Sequence, residues 1–348
     1  MGSIKTSDAQ GLITKKLVGV YQEIIKPTSF IRSFFKNVES PTRAVSIEVQ
    51  RGFEKIAVDV VRGTEGNRNT FGKSTEKIFE PPYHREYFDA TQIDLYDKLY
   101  GVESVDSAVF ARYINNVADK IVSLQNKIER KYEKLCSDVL VSGVLNFDAA
   151  TSINFKRKAE SIVDLGSGQY FANAIDPFKK IASGCKFLRT VGKSGAVEFN
   201  AILGTTALID LFGNATFLAK QDLINFRLDS VKLPIKNAVG GDYLGTIFCA
   251  PYNVNLWTYP EFYDDKEGVS TPFIDDKKLV LLPSDVEFIM AFGAVPQLIE
   301  PNSMPVMGAF VFSDFIDKKL KTHEYHVESC GIPIPLTIDK IYTMKVVA

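Results

Sequence analysis

The sequence predicts an α+β fold. Its clearest element is one long amphipathic helix, from Asp106 to Val141. Before it lie period-two strand patterns over residues 45–80, and after it helices and strands mix over about 171–300. Strands in runs, one dominant helix and a separate mixed lobe indicate sheets covered by helices on one side.

The first 44 residues hold a short amphipathic run (Leu12, Leu17, Val20, Ile24), then Pro27, then Phe30, Ile31, Phe34 and Phe35. Pro27 and Pro41 set this aromatic segment apart, and it has little core of its own to bury the rings in. It is expected to pack on a neighbouring subunit, with Phe30, Phe34 and Phe35 as anchors.

Residues 45–80 read as a long hairpin. Val45, Ile47 and Val49 alternate with polar residues, as do Ile56, Val58 and Val60. A glycine-bearing tip, Arg62 to Asn69, leads into a return strand toward Phe79, which Pro81 and Pro82 end. Neither face has enough apolar residues for a core, and an isolated two-stranded hairpin is marginal in water, so another surface must support it. Arg62, Glu65 and Arg68 at the tip are candidates for ion pairs between subunits. Solvated tip charge is the alternative, because exposed pairs contribute only ~0–1 kcal/mol.

In the long helix, Val109, Tyr113, Val117, Ile121, Leu124, Ile128, Tyr132, Leu135 and Val139 recur at spacings of four and three and form one apolar stripe. Lys120, Lys127, Arg130, Lys131 and Lys134 stand opposite, and Gly143 is a C-terminal stop. The stripe is expected to pack on a sheet. Strands are expected near Thr151–Ile162, then a Gly166-Ser167-Gly168 link. Asp176-Pro177, an N-cap and first-turn pair, opens a helix burying Phe178, Ile181, Cys185 and Leu188 and stopping at Gly192. A strand at Val197–Leu203, a helix at Thr205–Phe212, and strands at Leu244–Ala250 and Lys278–Leu282 complete the mixed lobe. The tail from Thr322 to Val347 returns to strand patterns, broken by Pro333 and Pro335.

The length of 348 residues suits one large or two ordinary domains. A net charge of −1 excludes a strongly basic protein that binds by neutralising phosphates, though not one that merely surrounds nucleic acid. Cys136, Cys185, Cys249 and Cys330 are scattered, without C-x-x-C or histidine at metal-ligand spacing, and read as isolated small hydrophobes in a reducing cytosol. The start, MGSIKTSDAQGLITKK, has no apolar signal region and only a chance-level myristoylation pattern at Thr6. No apolar run approaches the ~20 residues that cross a bilayer. A soluble product is expected, with no membrane partner.

Motifs for chemistry fail on context. A phosphate loop needs four residues between its first glycine and Gly-Lys-Ser, but Gly66 to Gly72 leaves five, position 67 is Asn, and EKIFEPPY follows instead of an apolar helix. Gly192-Lys193-Ser194 fails because position 187 is Phe, and Gly166-Ser167-Gly168 lacks the third glycine of a dinucleotide fingerprint. His84, His323 and His326 have no nucleophile context. Asp264-Asp265 and Asp275-Asp276 lack calcium-loop spacing and read as solvated loop charge. No catalytic residue, cofactor site or metal site is expected.

KPTSFIRSFF, together with TRAVSIEVQRGFEKIAVDVVRGTEGNRNTFGKSTEKIFEPPYHREYFD, resembles the N-terminal third of phage lambda-type major capsid proteins, the capsid protein E family. The shared pattern is a Pro-Thr-aromatic arm, a V-x-I-D/E strand, a K-x-A-x-x-V strand, a glycine-bearing tip and an F-x-P-P-Y exit. EYHVESCGIPIPLTIDKIYTMKVV is similar to the family's closing strands, while residues 166–275 match least.

The resemblance implies the tailed-phage major capsid fold: residues 1–44 as N-terminal arm, 45–90 as extended hairpin loop, and 91–170 as peripheral domain with a long spine helix. Residues 171–300 would be an axial α/β domain and 301–348 return strands of the peripheral domain. It implies a structural protein of the virion that self-assembles into hexamers and pentamers of an icosahedral head enclosing double-stranded DNA. DNA would meet a near-neutral wall by non-specific contact. A separate scaffolding protein is implied, because no long helical N-terminal extension is present, with a portal, a cement or decoration protein, and assembly in the host bacterial cytoplasm. The alternative within the same fold is an encapsulin-like nanocompartment shell. A P-loop nucleotide-binding enzyme using Lys73 is a third reading.

Overall fold

In the computed structural model the long periodic run is a single helix, α1 (Ser107–Ser142). The structure describes residues 28–49, 75–91, 107–147, 152–221, 226–227, 235–236, 240–265, 267–299, 302–317 and 322–348. Ile128, Tyr132, Leu135 and Val139 of the expected stripe are buried, and Ile121 and Leu124 are partly buried against the same core. Glu133, Cys136 and Leu140 are buried too, so the covered face is wider than the stripe toward the C-terminal end. Each fully buried large apolar side chain there contributes roughly 1.5–3 kcal/mol by area, an upper value.

Two sheets take most strands. The first has five: β1 (Phe35–Glu39), β4 (Tyr83–Thr91), β16 (Phe288–Phe292), β19 (Val311–Asp317) and β20 (Thr322–Pro335). The first half of β20 pairs antiparallel with β4 on one side and β19 on the other, and its second half pairs with β16. β1 joins β16 in parallel, Phe35 opposite Phe288. α1 lies on one face of this sheet, where Tyr132 Oη donates to Ser329 Oγ at 2.5 Å and Lys127 meets Glu86 at 2.6 Å.

The second sheet has eight strands: β7 (Ile162–Asp164), β8 (Glu198–Leu203), β9 (Phe226–Arg227), β10 (Ile235–Lys236), β11 (Asp242–Cys249), β12 (Tyr252–Thr258), β15 (Lys278–Pro283) and β21 (Tyr342–Lys345). Their order is β10-β11-β12-β8-β15-β21-β7, with β9 also on β11. α2 (Pro177–Thr190), α3 (Thr205–Gly213) and α4 (Ala215–Gln221) go with this sheet in a second core built on Phe178, Ile181, Leu188, Phe199, Phe217 and Leu281. As the Asp176-Pro177 pair predicts, Asp176 caps α2 by accepting the Phe178 N–H at 3.1 Å. Four two-stranded ladders complete the described strands: β2 (Val45–Val49) with β3 (Thr75–Phe79), β5 (Val144–Asn146) with β6 (Ser152–Asn154), β13 (Phe262–Asp264) with β14 (Ser270–Pro272), and β17 (Val295–Ile299) with β18 (Asn302–Val306).

Three expectations need correction. Pro333 and Pro335 do not break the tail, because β20 runs through both. They lie where β20 has β16 on one side only, and with the same parity their missing N–H groups fall on the unpaired side. Sheet membership also ignores the linear boundaries at 170 and 300. β16, within 171–300, belongs to the first sheet, and β21, within 301–348, sits inside the second between β15 and β7. Finally, Thr151–Ile162 yields only the short β6 and the start of β7, joined by a 3-10 turn at Ala159–Ser161.

Candidate assembly surfaces

The root of the N-terminal segment is built into the body. Residues Arg32–Phe34 form a 3-10 turn whose N-terminal amides point at the C-terminal half of α1. There the fully buried Glu133 carboxylate accepts the Ile31 N–H at 2.7 Å and the Arg32 N–H at 2.9 Å. Burial pushes Glu133 up to about 7, and the two backbone donors oppose that rise. The Arg32 guanidinium stacks over the Tyr132 and Phe292 rings at 5.6 and 5.9 Å and reaches Glu129 at 3.7 Å.

The expectation that Phe30, Phe34 and Phe35 lack a core in their own chain is therefore corrected. Phe30 and Phe35 are 4% exposed and lie in the first core. Phe30 packs against Trp257 at 5.4 Å and Tyr259 at 5.5 Å, both from the second sheet's β12 region, and Phe35 meets Phe288 at 5.1 Å. Phe34 is half-buried, edge-on to Phe30 at 5.5 Å. Thr28 Oγ1 and Tyr259 Oη share a hydrogen bond of 2.6 Å. No local pattern pairs Phe30 with partners some 230 residues away. Glu133 was equally missed. Its one available signal was an acid between two apolar positions, Tyr132 and Leu135, on a buried helix face.

The hairpin is described only at its base. Arg62, Glu65 and Arg68 lie outside the described residues, as does Lys73. β2 and β3 pair with each other and with no other described strand. Val45 and Phe79 are buried, Arg43 pairs with Glu80, and Ile78 is 71% exposed. A cavity of ≈ 860 Å³ opens beside this base, lined by Ile78, Pro82, Tyr83, Phe147, Ile153, Pro296, Pro305 and Cys330 among others.

The other motif residues serve the fold. His326 is buried in the first sheet, stacked on Tyr87, and accepts the Arg85 Nε–H on Nδ1 at 3.2 Å. His323 contacts Asp314 at 2.9 Å, and His84 stands edge-on to Tyr132. Lys193 adopts φ 53° in the turn after α2, where Ser194 Oγ donates to Asp285 at 2.7 Å. Asp265 accepts the Glu267 and Val269 amides at 2.8 and 2.9 Å, and Asp275 pairs with Lys278 at 3.0 Å. The four cysteines are buried and unbridged. Among the described residues, no group of three His, Cys, Asp or Glu is placed to hold a metal. None of their helices is long and apolar enough to cross a membrane.

Residues 14–346 match the family model of phage major capsid protein E. Among solved structures, a protein assigned as the capsid protein of a prophage of E. coli CFT073 superimposes with a TM-score of 0.62 at 15% identity, covering 97% of this chain and 98% of its own. The mature capsid protein of bacteriophage PhiM1 gives a TM-score of 0.52 at 9% identity, over 91% of this chain and 86% of its own. A phage-related protein of Bordetella bronchiseptica RB50 gives 0.50 at 12% identity, over 96% of each chain. At these identities the likeness speaks for the fold, which is that of tailed-phage capsid proteins. A search of curated proteins returns no match.

Proposed function

The chain belongs to the phage major capsid protein E family, a structural component of the virion, and we propose that its copies close into hexamers and pentamers of an icosahedral head around double-stranded DNA. The observation that carries the assembly mechanism is the β2–β3 ladder. It is attached to the body at Val45 and Phe79, and Ile78 beside them faces solvent. A ladder of two strands is marginal alone, and a sister copy is the surface that supports it. The same contact repeated from subunit to subunit is heterologous, so it closes rings and extends into a shell.

In this reading the first sheet with α1 is the peripheral domain, and the second sheet with α2, α3 and α4 is the axial domain at the ring centre. Arg62, Glu65 and Arg68 form the clasp's ion pairs, and Phe34 is the arm residue that reaches a neighbour. Phe30 and Phe35 act indirectly, by holding the root from which the arm departs. A scaffolding protein, a portal and a cement protein complete the partners, and assembly takes place in the host cytoplasm. The family is one of phage heads, which sets the encapsulin-like alternative aside.

Negative-stain microscopy of the purified protein, beside a variant lacking residues 62–69, tests this. Closed shells from the first and a folded, soluble, unassembled subunit from the second are expected. A protein that stays monomeric at every concentration overturns the capsid reading. Shells at normal yield from the deletion overturn the clasp alone.

A further inference from the structure

The outward face of α2 carries a charge asymmetry that the fold does not use. Phe178, Ile181, Gly184, Cys185 and Leu188 face the second core, with Gly184 so close to the sheet that a Cβ there would meet Leu281 at 2.6 Å. Lys179, Ser183, Lys186 and Thr190 fall on the opposite, exposed face, and the exposed Lys193 follows in the next turn. Lys180 and Arg189 flank the row. Between Asp176 and Glu198 the sequence holds these five cations and no acid, in a chain whose net charge is −1.

Three carboxylates near the helix have partners of their own. Asp176 caps the helix at 3.1 Å, Asp285 is held by Lys340 at 2.8 Å and Ser194 at 2.7 Å, and Asp339 faces Lys158 at 3.9 Å. Among the described residues, none of the five cations makes an ion pair; Arg189 instead lies 5.9 Å from the Tyr252 ring centre. Ser183 and Thr190 donate to helix carbonyls, Lys180 O at 2.7 Å and Lys186 O at 2.9 Å, so the row between the lysines is small and self-satisfied.

We propose that this row of α2 is a phosphate-binding stripe for duplex DNA, which turns this face of the second sheet's lobe toward the shell interior. The proposal rests on the capsid reading and deepens it. The absence of an aromatic or large aliphatic side chain from the exposed row favours a nucleic acid over a protein partner. Protein interfaces depend on buried anchors of that kind. A polyanion needs only cations, because the free energy comes from released counterions, and it reads no sequence. The wall is then near-neutral on average but locally basic where DNA touches it.

Fluorescence anisotropy of a short mixed-sequence duplex, titrated with the full chain at several salt concentrations, tests the stripe. Three neutralised phosphates give a log–log slope of about −2.7, an affinity loss of about forty-fold between 50 and 200 mM salt. The variant Lys179→Gln/Lys186→Gln/Lys193→Gln should bring the slope near zero. The same charge removed elsewhere, by Lys36→Gln/Lys156→Gln/Lys277→Gln, should leave it unchanged. An unaltered slope in the α2 variant overturns the proposal, and so does binding of polyglutamate in preference to the duplex. Microscopy of the same samples separates the two ideas: shells that form while the slope is unaltered remove the stripe and leave the capsid reading standing.

Discussion

The carboxylate of Glu133, midway along the buried half of α1, accepts the backbone N–H of Ile31 at 2.7 Å across 102 positions of sequence. With the Arg32 amide it satisfies two donors at the start of a 3-10 turn whose N-cap residue makes no side-chain capping bond. The long helix therefore holds the point from which the N-terminal arm leaves the body. It does so with a carboxyl group in an apolar core, where an unmet donor costs about 1–3 kcal/mol.

Glu133→Ala should destabilise the subunit by about 1–3 kcal/mol, and Glu133→Gln by less, since one amide oxygen remains to accept. The pH dependence has a definite sign. The folded carboxyl titrates at about 7 against an ordinary 4.5, so between these values the native state holds a proton that the unfolded chain has released. The contribution is full below the unfolded value and is lost as pH rises through about 7. Urea midpoints of the wild type should fall over that window, and those of Glu133→Gln should fall less. A wild-type midpoint that rises from pH 5 to pH 7 would contradict the assignment.

Phe30→Ala and Phe35→Ala should each cost about 3–5 kcal/mol of subunit stability, the usual range for emptying a buried aromatic site. Phe34→Ala, half-buried, should cost less and show first in shell yield. Denaturant unfolding of the three variants, beside their assembly yields, separates core from contact. Near-wild-type stability for Phe30→Ala would return that ring to the subunit interface.

Gly241→Ala tests how closely the second sheet approaches the arm root. A Cβ at this position would lie 2.4 Å from the Phe30 ring, so the ring or the strand must move. Overpacking of this kind costs about 1–3 kcal/mol. Amide hydrogen exchange over residues 28–35 should quicken in the variant, and unchanged protection would show that the contact is not needed to hold the root.

Arg157 is half-buried and, among the described residues, its guanidinium has no carboxylate partner. It donates to Leu140 O at 2.8 Å, Ser161 O at 2.9 Å and Thr343 Oγ1 at 2.8 Å, and burial lowers it to about 9. It thus ties the last turn of α1 to the β7–β21 edge of the second sheet. Arg157→Met keeps the apolar stem and should cost about 1–3 kcal/mol through the abandoned carbonyls. A melting temperature equal to wild type would mean that water replaces the guanidinium.

Local order was legible because its causes are local. The stripe from Val109 to Val139, read as a helix from Asp106 to Val141, comes within one residue of α1's ends, and Asp176-Pro177 marks the start of α2. Alternation at Val45, Ile47 and Val49 marks β2, and the pair Pro81-Pro82 falls in the break between β3 and β4. Each signal is a repeat or a cap read within a few residues, where backbone geometry alone sets the period. The strand through Pro333 and Pro335 was misjudged because a proline's effect depends on whether a neighbour needs its N–H, which only the sheet decides.

The sequence by itself determined the kind of fold and its family, through element types, their order and a set of short motifs around an unsupported hairpin. Tertiary structure alone decided that Phe35 pairs with Phe288, that β21 enters the eight-stranded sheet beside β7, and that Phe30 fills a space between Trp257 and Tyr259. These choices join residues roughly 180 to 250 positions apart. Closing such distances costs chain entropy whatever the intervening sequence, and what selects among the partners is complementary shape and the burial of amides in the finished core.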